Sequence, residues 1–313
     1  MHAIVTSIVL YSVLVPTRNW FPADQPVNIN IKSPAAVTLM LTDFSGQNID
    51  PKESATAEVT SEKTLDLRSI FPLNNPGTYL LHAVPKGAAL KDFLGTPLVI
   101  DVRADNRPGA PLTPMVIHVD ALSYAVITTE KGNMTAALYY DAAPHTVSNF
   151  ISLAQGGFYD GLTFDKIVKD FIIQGGDPRN DGTGGPGYRI ANEFNDKQHD
   201  VGVLSMARQI DPNEPASPPR NEFANSAGSQ FFICLNRENC KQLDRRYTAF
   251  GRVVGGTDVL KSIAQSPIAD PQTGRPQQLI KITKIGIKPV TSKENPYPRL
   301  NEFAPTTTRP TTR

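Results

Sequence analysis

Short apolar-polar alternations dominate the first third of the chain. Val27-Asn28-Ile29-Asn30-Ile31 and Leu65-Asp66-Leu67 change sides at every residue, the period of a half-buried strand. Residues 37–41 and 98–102 are further strand candidates. Turn chemistry separates them, in Asp43-Phe44-Ser45-Gly46-Gln47-Asn48 and in Asn74-Asn75-Pro76-Gly77. About seven short strands punctuated in this way predict an all-β sandwich over residues 1–104. Residues 4–15 are apolar and rich in β-branched side chains, and Pro16 closes them, so they read as the first strand. The same run is apolar enough for a signal-peptide core, but no Lys or Arg precedes it and no small-residue cleavage site follows. Trp20 and Phe21 read as core or edge packing.

The pattern changes after Asp105-Asn106-Arg107-Pro108-Gly109-Ala110-Pro111-Leu112-Thr113-Pro114, whose prolines make it a stiff connection. Residues 126–129 and 134–138 predict a hairpin around Glu130-Lys131-Gly132-Asn133. Val147, Phe150, Ile151 and Ala154 then recur at i, i+3, i+4 and i+7, with Pro144 near the start and Gly156 past the end, which predicts an amphipathic helix. A second helix is expected over residues 257–265, capped by Thr257 or Asp258, with Val259, Leu260 and Ile263 inward. Most other segments read as strand, so the region predicts a β-barrel closed by helical caps. The expected organisation is therefore a sandwich at 1–104, a Pro-rich linker at 105–118, the barrel domain at 119–290 and a flexible Pro/Thr-rich tail at 291–313.

Composition narrows the function. A chain of 313 residues is comfortable for two domains, and a formal charge of +1 gives no bulk electrostatic case for nucleic acid as partner. No run of apolar residues is long enough to predict a membrane span. The five histidines are scattered and no zinc spacing occurs, so neither a metal nor a cofactor is predicted. Cys234 sits in the apolar run Phe231-Phe232-Ile233-Cys234-Leu235 and reads, with Cys240, as a free thiol; a bridge across the intervening loop is the alternative.

Two resemblances follow from specific residues. Asn75-Pro76-Gly77-Thr78-Tyr79-Leu80-Leu81-His82-Ala83 resembles the late strand of immunoglobulin-like domains. In the second half, Phe164-Asp165-Lys166-Ile167-Val168-Lys169-Asp170-Phe171-Ile172-Ile173-Gln174-Gly175-Gly176-Asp177 resembles the central signature of the cyclophilin-type peptidyl-prolyl isomerases. Asp181-Gly182-Thr183-Gly184-Gly185, Gly202-Val203-Leu204-Ser205-Met206-Ala207, Asn225-Ser226-Ala227-Gly228-Ser229-Gln230-Phe231-Phe232-Ile233, Leu243-Asp244 and Tyr247-Thr248-Ala249-Phe250-Gly251-Arg252-Val253 follow in the family's order. The resemblance implies an eight-stranded antiparallel barrel with two capping helices.

Rotation of an X-Pro bond faces an amide-resonance barrier of about 18–20 kcal/mol, and no bond is made or broken. A catalyst needs an apolar slot for the ring, a hydrogen-bond grip on the flanking backbone, and a donor near the prolyl nitrogen. Donation to that nitrogen favours the twisted state. The resemblance places Lys166, Gln174 and Phe171 in catalytic positions. It places Ile172, Gly182, Ala207, Gln230, Phe232, Leu243 and Tyr247 in substrate-binding ones. Alternation of Phe164, Lys166 and Val168 with Asp165 and Ile167 puts Lys166 on the groove face.

The departures from the family pattern carry information. Lys166 stands where most active members carry Arg, and a point charge is not a planar fork. Tyr247 stands where many carry His. Before Leu243 the chain is slightly longer, with Lys241 and Gln242 nearest the position of the family's Trp. Residues 208–224 form a long, proline-rich insertion that should overhang the groove. The expected function is prolyl isomerisation that assists folding. A proline-peptide binding module weakened in catalysis by Lys166 is one alternative, and an adhesion or envelope role of the first domain is another. Expected partners are proline-containing peptides and folding proteins, and cyclosporin with weakened affinity. Export is favoured over a cytoplasmic location if a signal peptide was trimmed.

Overall fold

Strand alternation in the first half is strong enough to build two sheets. The structure, a computed structural model, describes residues 13–60, 63–104, 115–214 and 216–303. It divides into two units, residues 1–122 with 289–295, and residues 123–288 with 296–313.

In the first unit, strands Leu14–Pro16, Asn28–Ile31 and Lys63–Asp66 pair antiparallel in a three-stranded sheet. A larger, seven-stranded sheet runs Trp20–Pro22, Met115–Ala121, Leu94–Ala104, Gly77–Pro85, Val37–Asp43 and Asn48–Ile49, with Glu58–Val59 also on Val37–Asp43. Ile29 and Ile31 from the small sheet share one core with Leu39, Leu41, Leu81, Ile100 and Ile117 from the large one. Each strand contributes every second residue, so the period-2 pattern alone decides which face is dry. The Tyr79 hydroxyl donates back to the Asn75 carbonyl at 3.2 Å. Phe21 is buried, whereas Trp20 is 49% exposed beneath the Arg18 guanidinium.

The linker expected over 105–118 ends earlier than the sequence indicated. Met115–Ala121 is a strand paired along its whole length with Leu94–Ala104, burying Ile117 and Val119. Its own alternation outweighs the three prolines before it, and it belongs to the first unit. Residues 105–114 lie outside the described residues, as do residues 1–12 of the expected first strand or signal core.

The second unit is a closed antiparallel barrel. Its strands are β1 (Ser123–Thr129), β2 (Gly132–Leu138), β3 (Thr163–Val168), β4 (Ile172–Gly175), β5 (Val203–Met206), β6 (Phe231–Cys234), β7 (Ala249–Gly255) and β8 (Ile280–Pro289). They close in the order β1-β2-β7-β5-β6-β4-β3-β8. Closure removes the sheet edges that would otherwise template aggregation. Two longer helices accompany the barrel, α1 (Pro144–Gln155) and α2 (Thr257–Ala264), with single helical turns at Asn221–Ala224 and Arg237–Cys240. Phe150 of α1 packs its ring 5.4 Å from Tyr159, 5.7 Å from Phe231 and 5.1 Å from Phe250.

The N-terminus of α1 has no side-chain cap of its own. Glu193 supplies it from the loop before β5, accepting from the His145 and Thr146 amides at 3.2 and 2.7 Å. At α2 the cap is neither Thr257 nor Asp258 but Gly256 at φ 74, a left-handed turn that glycine adopts without steric cost.

The segment expected to be a tail is partly docked. Tyr297–Phe303 forms a 3-10 helix on the barrel. The Tyr297 hydroxyl donates to Ser123 O at 2.7 Å and accepts from Leu138 N at 3.2 Å. Leu300 packs against Tyr139, Val203 and Ala249, and the Arg252 guanidinium lies 4.0 Å from the Phe303 ring centre. Composition signalled disorder, but one tyrosine, one leucine and one phenylalanine at the right spacing anchor the turn. Residues 304–313 lie outside the described residues.

Candidate active site

Strand register sets the first wall of the site. Lys166 on β3 is opposite Gln174 on β4, Gln174 is opposite Phe232 on β6, and Phe232 is opposite Ser205 on β5. A bulge falls at Asp165, between Phe164 and Lys166. It changes the strand's parity. Phe164 is therefore fully buried inside the barrel, its ring 6.0 Å from Phe231, while Lys166 is partly exposed on the outer face. The simple alternation that put Phe164 and Lys166 on one face is corrected here: Lys166 reaches the groove because the extra residue re-aims it. The Lys166 stem passes Gly274, where an added Cβ would sit 3.3 Å from its Cγ. Its ammonium has no hydrogen-bond or ion-pair partner among the described residues.

The bulge also strands a charge. Asp165 is buried, and one carboxylate oxygen has no hydrogen-bond partner. Burial pushes its carboxyl up to about 6.

An apolar slot adjoins Lys166. Ile172, Phe232 and Leu243 form its buried part, and Phe171, Ala207 and Tyr247 its partly exposed rim. Tyr247 meets Phe232 edge-on at 5.6 Å. Behind Phe232, the buried His199 ring stacks at 6.1 Å and 22°. His199 Nδ1 lies 3.1 Å from an Asp244 oxygen and Nε2 lies 3.0 Å from Ser205 Oγ. Burial lowers the His199 pKa despite Asp244, so the ring is neutral near pH 7. The Asp244 carboxyl is itself held below the ordinary range; burial opposes this, but bonds from Arg237 and His199 prevail. An ionised carboxylate only accepts, so Nδ1–H donates to Asp244, and Nε2 accepts from the Ser205 hydroxyl. This polar chain locks the plane against which Phe232 lies. Cys234 and Cys240, both free and buried, pack under the same slot, and Cys240 Sγ lies 3.1 Å from Phe171 O.

The opposite wall is a glycine-rich loop. Asp177 shapes it by accepting from the amides of Arg179, Asp181 and Gly182 at 2.8, 3.1 and 2.6 Å. Gly182 sits at φ 85, which a side chain would strain. The Gln230 amide donates to the Gly182 and Gly184 carbonyls at 3.1 and 2.8 Å. Its oxygen accepts from Gln174 at 3.0 Å. Both Gln230 amide hydrogens are therefore engaged within the protein, and what it offers a peptide is its second oxygen lone pair. The Gln174 oxygen has no partner among the described residues.

Of the described residues of the insertion over 208–224, Arg208, Gln209 and Ile210 line the third side of the groove. The Arg208 side chain is only 2% exposed and forks onto Glu214 with bonds of 3.0 and 2.7 Å. Its Nε donates to Arg246 O, and its guanidinium lies 4.2 Å from the Tyr247 ring centre. Further along, Arg220 forks onto Asp211 at 3.0 and 3.1 Å. Two charge-assisted forks thus replace a hydrophobic core within the loop. Ile210 stands 71% exposed at the groove.

Lys166, Phe171, Ile172, Gln174, Gly182, Ala207, Gln230, Phe232, Leu243 and Tyr247 all line this one groove, of about 700 Å³. Sequence reasoning missed Arg208, Glu214, His199 and Ser205 as supports, and no spacing signals them. No cluster of His, Cys, Asp or Glu suited to a metal occurs among the described residues, and no helix there is long and apolar enough to cross a membrane.

The groove-bearing unit has many likenesses. Residues 124–287 match the family described as cyclophilin type peptidyl-prolyl cis-trans isomerase/CLD. The chain is 44% identical over 131 residues to a peptidyl-prolyl cis-trans isomerase of Synechococcus elongatus, covering 42% of this chain and 80% of that one. To a Helicobacter pylori enzyme of the same name it is 40% identical over 152 residues, covering 47% and 84%. To peptidyl-prolyl cis-trans isomerase B of Bacillus subtilis it is 40% identical over 142 residues, covering 44% and 89%.

Proposed function

This chain belongs to the cyclophilin-type peptidyl-prolyl cis-trans isomerase family and is a peptidylprolyl isomerase, and we propose that it turns X-Pro bonds in folding proteins with Lys166 as the catalytic donor. The observation that carries the reading is the placement of an unpartnered ammonium beside an apolar slot in one groove. A proline ring in the slot between Phe171, Phe232, Leu243 and Tyr247 brings its amide against Lys166 and Gln174. The Gln174 oxygen and the main chain near Ala207 hold the flanking peptide. One N–H donated toward the prolyl nitrogen weakens amide conjugation as the bond twists, and it acts more strongly on the twisted state than on either planar one. No proton is transferred and no covalent intermediate forms.

Lysine supplies one mobile donor where guanidinium would supply a fixed pair. Lys166→Ala is expected to lower kcat/KM on a short X-Pro peptide by about a hundredfold, the scale of a lost transition-state donor. Lys166→Arg is expected to raise it about tenfold, or 1.4 kcal/mol. Neither should move the melting temperature, since the ammonium has no partner to lose. An unchanged rate in Lys166→Ala removes this residue from catalysis. A wild-type protein that binds proline peptides but neither isomerises them nor speeds proline-limited refolding would instead be a binding module.

A further inference from the structure

The charge around the groove is one-sided. Lys166, Arg179, Arg189 and Arg208 line it, and no Asp or Glu does. Arg208 is matched by Glu214, which also meets Arg246 at 3.3 Å. Arg179 and Arg189 are exposed on the glycine-rich loop and make no ion pair among the described residues. Arg179 has only a 3.5 Å bond to the Thr183 hydroxyl.

The carboxylates nearby lie off the groove lining and are bonded within their own loop or buried. Asp177 is buried and bound to three loop amides. Asp181 accepts from the Thr183 amide and hydroxyl at 2.8 and 2.6 Å. Asp165 is buried beside Lys166 without lining the groove. The whole chain carries a formal charge of only +1, so this local excess does not follow from composition.

We propose that the groove selects X-Pro segments bearing an acidic side chain next to the proline, with Arg179 and Arg189 as the residues that set this preference. The inference rests on the isomerase reading for where the proline sits. A chain with its ring in the apolar slot must pass Gln174 and Gln230, and it then runs along the glycine-rich loop under the two arginines. There an Asp or Glu meets two exposed cations, of which Arg179 is partly offset by Asp181 and Arg189 makes no ion pair among the described residues, whereas a Lys or Arg meets like charge.

The test uses the full chain and short peptides that differ in one residue, Glu, Gln or Lys, placed before the proline in one set and after it in another. Glu should exceed Gln in kcat/KM by roughly two- to fivefold in one of the sets, with Lys lowest, the scale of exposed charge pairs. The Glu-to-Gln ratio should collapse at about 0.5 M salt and fall toward one in the double variant Arg179→Gln, Arg189→Gln. Equal rates for Glu and Gln in both sets overturn the proposal, as does a Glu preference indifferent to salt and to the double substitution. Peptide affinity by NMR titration separates the two readings. A Glu preference in binding without any turnover supports the charge selection and sinks the isomerase reading.

Discussion

The barrel strands and the irregular segments around them hold the groove by different physics. On β3, β4 and β6, ladder register places Lys166, Gln174 and Phe232 in one row, and each side chain's position follows from its neighbours' backbone. The insertion has no ladder; it is held by guanidinium-carboxylate forks, and the docked segment Tyr297–Phe303 by a tyrosine bonded to backbone. A strand site holds its side chains by backbone register, so exchange at Lys166 should leave the frame of the groove in place. A loop site depends on the identity of each anchor, because removing one leaves its partner buried and unpaired.

Glu214 should reveal the difference most sharply. Glu214→Ala abandons the buried Arg208 guanidinium and also loosens Arg246. We expect a loss of about 3 kcal/mol in denaturant unfolding, with faster trypsin cleavage within the insertion. Burial would raise the Glu214 pKa, but Arg208 holds it below the ordinary value. Its contribution is therefore present above the unfolded glutamate pKa and is lost as pH falls through the lower folded one. Shortening the insertion over residues 208–224 removes Arg208 together with Glu214, so it should cost less than Glu214→Ala, no buried charge being left behind. A stable excised form with unchanged peptide selectivity would reduce the insertion to a surface excursion.

Tyr297→Phe comes next. It leaves Leu138 N–H without the tyrosine hydroxyl, while Ser123 O keeps the Tyr140 hydroxyl at 3.5 Å, and should cost about 2 kcal/mol, measured as a lower melting temperature. No shift at all would return residues 297–303 to the status of a loose tail.

The smallest expected effect has the opposite sign and lies on a strand. Asp165 has its folded pKa raised to about 6 by burial. Its protonated form suits the fold, so this stability is fully present below the unfolded aspartate pKa and is lost as pH rises through about 6. Asp165→Asn should therefore stabilise at pH 8 by on the order of 1 kcal/mol, and leave stability at pH 3 nearly unchanged. Stabilisation of equal size at both pH values would show that the carboxylate charge is not the cause.

Sequence alone determined the barrel and part of the groove's lining. Period-2 and period-3.6 patterns are local, and the blocks from Phe164 to Val253 keep the cyclophilin order, so the resemblance named ten of the residues that line the groove, though not Arg179, Arg189 or Arg208. Local patterns failed where partners are distant or parity breaks. The bulge at Asp165 is one unpaired residue that alternation cannot see. Gln230 spends its amide hydrogens on Gly182 and Gly184, more than forty positions away. Arg208 reads as an exposed loop charge until Glu214, Arg246 and Tyr247 enclose it. The Pro/Thr-rich end reads as disordered until Tyr297 finds Ser123 across the fold. A buried polar group must be satisfied, but nothing in a linear sequence says by whom. Tertiary structure decided that, because hydrogen-bond partners are fixed by distance in space and not by spacing along the chain.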